Sequence, residues 1–294
     1  SPSAKLYDTI STYAVLLLFF ITTPLASLIY WKIWMLKAFR ESYAMKLIVI
    51  TGIFDLLYLA SFTIFYQFTT WTQFFWFYNA LVSLHLDVLA AVIVYFCSVM
   101  QLQLTFFLAV NRLFRACDIK MTEKKDQIFF YLSLLLSVMI SLICSLPIAI
   151  LEFKYNSMIS ANGVKVWYPH TTDDGNIFER AHDVYLIAVS IASFVINLTT
   201  ISIAFKMRHN VIDTRTKQER GLVISTVASF ICYFVYVIVG ILTRATQNTF
   251  LSYSSFLVLA IACLAPFWCL MLFAYEVRRA VILSMLKRRR LTVP

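Results

Sequence analysis

The chain has 294 residues, of which 61% are hydrophobic and 14% are charged, and its formal net charge is +10. Soluble domains carry about 25% charged residues, so this composition excludes an ordinary soluble globular protein. Five glycines and six prolines are too few for a collagen-like or low-complexity chain. The apolar residues fall into blocks of about twenty, the length of helix that crosses the hydrocarbon core of a bilayer.

Seven apolar runs predict an all-α membrane protein, a seven-transmembrane helix bundle in which residues 1–294 form a single domain. The predicted helices cover residues 13–31, 45–66, 84–110, 128–151, 184–205, 222–243 and 250–275. No signal peptide with a small-residue cleavage site precedes the first run, which is therefore expected to act as an uncleaved anchor. Buried helices of a large soluble protein would show polar stripes, whereas residues 132–143 and 222–242 carry no charge.

Lysine and arginine orient the predicted helices. Twenty basic residues lie in segments that fall on one side of the membrane, and five lie on the other side. Because cytoplasmic loops are enriched in Lys and Arg, we predict that the N-terminus is outside and the C-terminus is in the cytoplasm. Basic residues beside anionic inner-leaflet lipids are each worth about 1 kcal/mol, so the net charge does not require a nucleic-acid partner.

The tail after the seventh run predicts a short amphipathic eighth helix inside the cell, over residues 276–290. Val277, Ala280, Val281 and either Ser284 or Met285 share one helical face, and the basic run Lys287–Arg290 follows them. A helix of this pattern lies on the surface of a membrane, so we expect it on the inner leaflet.

One sizeable outer loop is predicted, at about residues 152–182. Within it, Asn162-Gly163 separates two short stretches with β-strand character, which predicts a hairpin over the mouth of the bundle. None of the six cysteines lies in this loop, so no external disulfide bond is expected.

Two carboxylates lie within predicted membrane helices, where charge is costly and tends to mark function. Asp55 is in the middle of the second helix, where it is either a structural hydrogen-bonded or protonated carboxyl group or part of a switch. Asp87 is near the outer end of the third helix, and a solvated residue at the helix mouth is the simpler interpretation. The alternative is an anion that faces a ligand.

The inner halves of two predicted helices contain further candidates. Gln101 lies in the third helix, which ends in Asn111-Arg112. Arg112 either pairs with lipid phosphate or closes a cavity that opens for a cytoplasmic partner. Pro266 in the seventh helix removes a backbone hydrogen bond, which produces either a static bend or a movable inner segment.

Seven helices with an external N-terminus resemble the G-protein-coupled receptors. Asn111-Arg112 is similar to the acid-arginine pair of rhodopsin-like receptors, Asp55 to the aspartate of their second helix, and Pro266 to the proline of their seventh. The chain departs from that pattern, since Asn111 replaces the acid and Asp87 stands where a disulfide cysteine is usual. Val94 stands where amine receptors keep an aspartate, which argues against a bioamine ligand.

The short motifs are most similar to those of nematode serpentine chemoreceptors, in the group that includes class gamma. They are Thr23-Pro24 through Tyr30, Asp55-Leu-Leu-Tyr58, Asn111-Arg112-Leu-Phe and Ala265-Pro266-Phe-Trp268. The resemblance implies a chemosensory receptor in the plasma membrane that needs neither a cofactor nor a metal. The sensory cilia of neurons are one place where such a receptor is expected.

The resemblance also implies roles for named residues. A small molecule would bind between the outer ends of the third, fifth, sixth and seventh helices and favour one of two arrangements. The inner ends of the fifth and sixth helices would then separate and admit a heterotrimeric G protein. The ligand-binding candidates are Asp87, Val94, Trp167, Tyr185, Tyr236, Arg244 and Tyr253. The switch and coupling candidates are Asn111, Arg112, Asp55, Gln101 and Pro266. Arg244 is either an anchor for a carboxylate or a rim residue without a ligand.

Three other classes of membrane protein fit the sequence less well. A secondary transporter of a small solute is the main alternative, but such proteins favour broken helices rich in glycine and proline. An insect-type odorant channel would have its N-terminus inside, against the distribution of basic residues. An intramembrane enzyme would need clustered catalytic groups, and the four histidines are scattered along the chain.

Overall fold

The computed structural model describes residues 2–40, 42–117, 119, 122–150, 154–159, 165–170, 173–206, 214–246 and 249–290. These residues form ten helices and one pair of strands. The helices are α1 Pro2–Met35, α2 Lys37–Arg40, α3 Tyr43–Phe65, α4 Phe75–Ser83, α5 Asp87–Ala116, α6 Glu123–Ile150, α7 Asp173–Lys206, α8 Thr214–Thr246, α9 Thr249–Phe273 and α10 Tyr275–Arg290. The strands are β1 Lys154–Ile159 and β2 Lys165–His170.

Seven helices are long and apolar enough to cross a membrane, which confirms the predicted number. They are α1, α3, α5, α6, α7, α8 and α9. The chain is therefore a multi-pass helical membrane protein. Several helices extend beyond the predicted runs. The length of an apolar run predicts only the part of a helix that lies inside the hydrocarbon of the membrane. For example, α7 begins at Asp173, within the predicted outer loop.

Long apolar faces remain uncovered on the helices that cross the membrane. On α1 the exposed side chains include Tyr13, Leu17 and Phe20, and on α6 they include Leu135 and Met139. Monomeric soluble proteins rarely expose apolar patches of this extent. On a membrane protein these side chains contact the lipid chains.

The chain divides into two compact units. The first unit comprises Ser1–Ile53, Thr105–Phe130 and Ser190–Pro294. In it, α9 packs against α1 and α8, and the ring of Tyr30 on α1 meets Phe267 on α9 edge to face, with ring centroids 6.2 Å apart.

Helix α10 belongs to the first unit and begins directly after a one-residue break at Ala274. Val277 and Val281 are buried, because α10 contacts α1, α8 and α9. The face expected to meet the membrane thus packs against the protein. Among the described side chains of α10, Ile282 and Leu283 beside this face are exposed and apolar, and Tyr275 at the start of the helix is also exposed.

The second unit comprises Phe54–Leu104 and Tyr131–Val189. In it, β1 and β2 pair antiparallel with Asn156 opposite Tyr168, which confirms the predicted hairpin. The predicted turn at Asn162-Gly163 lies outside the described residues.

The expectation of a single sizeable outer loop was wrong, because the connection between α3 and α5 is also structured. It contains two 3-10 turns, Gln67–Thr70 and Thr72–Phe74, followed by α4.

Candidate functional site

Asp87 is the first residue of α5, where a carboxylate is stabilised by the positive end of the helix dipole. Its side chain is only 7% exposed, so the expectation of a solvated residue at the helix mouth was wrong. Burial raises the pKa of the Tyr155 phenol well above its ordinary value, and the neighbouring Tyr66, Tyr78 and Asp87 raise it further. Asp87 therefore lies close to the Tyr155 phenol on the hairpin, and this phenol stays neutral.

Trp167 on β2 is buried, and its ring stacks on Phe75 of α4 with centroids 5.6 Å apart. It belongs to the same buried cluster as Ala90 and Ala91, which lie one turn after Asp87 on α5. The indole N–H has no hydrogen-bond partner among the described residues. A buried donor without a partner is uncommon in proteins and marks a place where a polar group of a ligand or a water molecule would bind.

The structure brings two of the seven ligand-binding candidates, Asp87 and Trp167, to one buried cluster, since Tyr155 of that cluster lies beside Asp87. Val94 is buried one turn further along α5 and is not part of that cluster. Tyr185 on α7 is also in the second unit and is half-buried, and its hydroxyl group lacks a hydrogen-bond partner among the described residues.

The other three ligand-binding candidates belong to the first unit. Tyr236 on α8 is half-buried, with its ring centroid 5.9 Å from that of Tyr233. Arg244 lies in α8 and Tyr253 in α9, and the side chains of both lie outside the described residues.

A pair that the sequence did not predict lies in the second unit. The rings of Tyr95 on α5 and His182 on α7 meet edge to face with centroids 4.9 Å apart. No spacing in the sequence links these two positions, so only the fold reveals the pair. It adds an imidazole to the polar groups near the hairpin end of α5 and α7.

Asp55 is 1% exposed, in the middle of α3, and the Gln101 side chain of α5 is the polar group directed at its carboxyl. Neither carboxylate oxygen makes a hydrogen bond of full geometry with a described residue. Gln101 is also buried. The predicted switch residues Asp55 and Gln101 thus form one enclosed polar pair in the second unit.

Helix α5 ends at Ala116, nearly two turns later than predicted, so Asn111-Arg112 is inside the helix. The Arg112 side chain is only 3% exposed. In this conformation it cannot reach lipid phosphate, which removes one of the two interpretations of this residue. Arg115, one turn further on, forms a partly exposed ion pair with Asp126 of α6, with a nitrogen-to-oxygen distance of 3.5 Å.

A small cavity of about 40 Å³ lies beside Pro266 in the first unit, and sequence reasoning did not find it. Its wall includes the hydroxyl groups of Thr51, Thr226 and Ser229. Each donates its proton to a carbonyl four residues earlier, at 2.8, 2.9 and 2.7 Å respectively. Their oxygen atoms therefore remain acceptors, and the space suffices for roughly two water molecules.

A close contact between helices forms another part of the cavity wall. The Tyr30 ring of α1 covers Gly52 of α3 so closely that a Cβ atom at Gly52 would overlap it. Gly52 is an isolated glycine within an apolar helix, a signal of close packing that was available in the sequence.

No protein-family model matches the chain, and no characterised protein matches it in sequence. Within the described residues, no three His, Cys, Asp or Glu side chains come together in an arrangement that could hold a metal ion.

Proposed function

We propose that the chain is a seven-transmembrane chemosensory receptor that converts the binding of an extracellular small molecule into activation of a cytoplasmic heterotrimeric G protein. In this proposal it is of the nematode serpentine type, with its N-terminus outside the cell and α10 along the inner leaflet. It acts in the plasma membrane, and in a sensory neuron the cilium is the place where its ligand arrives.

The observation that carries the proposal is the buried Arg112. An arginine that is 3% exposed in the last turns of a membrane helix is costly to bury, and such residues tend to mark a function. Asn111 beside it supplies an amide in place of a carboxylate. Movement of α7 and α8 at this end would uncover Arg112 for a G-protein α-subunit.

The cavity beside Pro266 suits such a movement. Proline leaves the carbonyl of Ala262 without its usual helical donor, so α9 resists bending less at this point. The cavity is lined partly by hydroxyl groups. Side chains can therefore shift near it without leaving behind an empty space with purely apolar walls. The inner part of α9 could then move together with the start of α8.

For the ligand, the buried cluster around Trp167, with Asp87 at its edge, supports a molecule that is largely apolar with a polar group for the indole N–H. Asp87 and Tyr155 supply further polar contacts at its edge. The ligand acts by binding one arrangement of the helices more tightly than the other. Anionic lipids beside the basic tail are the third expected partner.

The deciding experiment measures G-protein dissociation in cells that express the chain with a panel of labelled heterotrimers. It is run at rest and with small-molecule extracts, at matched surface expression. We expect a signal above untransfected cells that Arg112→Ala abolishes. Arg180→Ala is the matched control, because Arg180 is exposed near the start of α7, and it should leave the signal unchanged.

A signal that survives Arg112→Ala would contradict the assigned role of this arginine. Silence across the whole panel, with the chain at the cell surface, would contradict the receptor proposal. It would favour a transporter, which a solute-flux assay on the same cells would detect.

A further inference from the structure

The segment of residues 66–86, which connects α3 to α5 and is called here the connecting segment, has an unusual composition. It has 21 residues without a single Asp, Glu, Lys or Arg, and eight of them are Phe, Trp or Tyr. Connections that face water are normally polar, whereas aromatic residues concentrate at the boundary between membrane and water.

One side of the connecting segment packs against the second unit. Tyr78 of α4 is fully buried and donates a hydrogen bond from its hydroxyl group to the carbonyl of Ile64. Phe68 and Phe74 stack with ring centroids 4.6 Å apart. The position of α4 is therefore fixed, and its other side faces away from the protein.

That other side carries both apolar and polar side chains, because Asn79 and Ser83 are exposed on the same face as Trp76. Trp76 is 70% exposed and Leu84 is 65% exposed. Exposed apolar residues continue at Leu86, directly before α5, and at Leu89 and Ile93 in the first turns of α5. Leu89 and Ile93 share a face of a helix that is long and apolar enough to cross a membrane, so a lipid-facing surface begins directly after the connecting segment.

The backbone of the connecting segment also suits a place with little water, where unpaired polar groups are costly. The amide groups of Trp71 and Phe74 bond to carbonyls three residues earlier. At the end of α4, the amides of Leu84, His85 and Leu86 bond back to Ala80, Val82 and Leu81. The segment thus satisfies these backbone donors internally.

We propose that α4 is an interfacial helix embedded in the membrane leaflet at this end of the bundle, with Trp76 and Leu84 inserted among the lipid chains. Its partner is therefore lipid. The amphiphilic indole ring of Trp76 suits the level of the headgroups and the upper acyl chains. This inference rests on the chain being a membrane protein and not on the receptor function.

The test uses the full chain, labelled with 5-fluorotryptophan and inserted as a monomer into lipid nanodiscs. The fluorine resonance of Trp76 is identified as the one that disappears in Trp76→Phe, a change at an exposed site that should not affect folding. Two relaxation agents are then compared: a lipid with a spin label near the top of its acyl chain, and a gadolinium chelate confined to water.

We expect the spin-labelled lipid to remove most of the Trp76 signal and the aqueous chelate to leave most of it. Trp167 is the internal control, because it is buried and neither agent should affect it strongly. A Trp76 signal removed mainly by the aqueous chelate would overturn the proposal, since the helix would then face water. A signal that resists both agents would also overturn it, because protein would then cover Trp76.

Discussion

The hydroxyl group of Tyr155 donates a hydrogen bond of 2.6 Å to the backbone carbonyl of Phe65, the last residue of α3. Tyr78 donates in the same way to the carbonyl of Ile64. The last carbonyls of a helix have no partner within the helix, so the two phenols cap the end of α3. They also attach β1 and α4 to it, and no disulfide bond links the cysteines of the described residues.

Replacing Tyr155 by Phe should loosen this attachment. The change removes one hydroxyl group and leaves the partly buried Phe65 carbonyl without this donor, at a cost of about 1 kcal/mol. We expect a lower unfolding temperature of the purified protein in detergent. Tyr275→Phe is the matched control, since Tyr275 is exposed and its ring contact with Arg278 does not need the hydroxyl group. Equal unfolding temperatures for the two variants would show that the Tyr155 bond contributes no net stability.

The same phenols predict how stability depends on alkaline pH. Burial raises the pKa of Tyr155 in the folded protein, while in the unfolded chain it is about 10. Above pH 10 the unfolded chain therefore loses the proton first, and unfolding becomes easier as the pH rises. We expect unfolding temperatures to be unaffected by this group up to about pH 10 and to fall above it. The fall should be smaller in Tyr155→Phe, and an identical profile in that variant would contradict the assignment.

His85 is the one described residue other than glycine with a positive φ, at 55°. It follows α4 at the position where helices commonly end in glycine, and the amides of His85 and Leu86 bond to Val82 and Leu81. A side chain in this conformation costs about 1–2 kcal/mol, so His85→Gly should raise the unfolding temperature. His85→Val should lower it, because a β-branched residue fits this conformation poorly. A loss of stability in His85→Gly would indicate that the imidazole makes a contact that matters more.

The number of membrane helices and the hairpin were predictable, because apolar length and an Asn-Gly turn are local signals. Helix α4 was not, since nine residues in an aromatic-rich segment show no periodic pattern that separates helix from loop. The burial of Asp87 was missed because the residues around it come from the hairpin, far away in sequence. Arg112 was recognised, but its burial depends on α5 continuing past a polar sequence, which apolar length does not report.

The sequence indicates only part of what forms the cavity and the contact at Gly52. A lone glycine in an apolar helix indicates close packing, but the partner, Tyr30, lies on a different helix. The Thr and Ser residues that line the cavity look in the sequence like ordinary polar residues that bond to their own helix, which they also do. Only the fold brings them together beside Pro266.

Gly221 near the start of α8 should tolerate no side chain. A Cβ atom there would overlap the backbone carbonyl oxygen of Phe273 at the end of α9, and a backbone atom cannot move aside cheaply. We expect Gly221→Ala to cost about 1–3 kcal/mol of stability through overpacking. Gly240→Ala, in the same helix, is the matched control, since no atom lies within 4 Å of the added group. Its effect should be neutral or favourable, and a similar loss in both variants would point to the helix itself and not to the contact.

Arg278 attaches α10 to the end of α9. One nitrogen of its guanidinium group donates hydrogen bonds to the carbonyls of Met271 and Leu272, at 3.1 and 3.3 Å. A cation at the end of a helix also interacts favourably with the helix dipole, so Arg278→Ala should cost roughly 1 kcal/mol locally.

Hydrogen exchange of the amides at the start of α10 measures this cost in the detergent-solubilised protein. We expect exchange about three to ten times faster in Arg278→Ala than in the unmodified chain, because the first turn of α10 opens more often. Arg279→Ala removes the same charge from the next position, where the side chain is exposed, and should change the rate little. If both substitutions accelerate exchange equally, net charge and not the carbonyl contacts of Arg278 holds α10 in place.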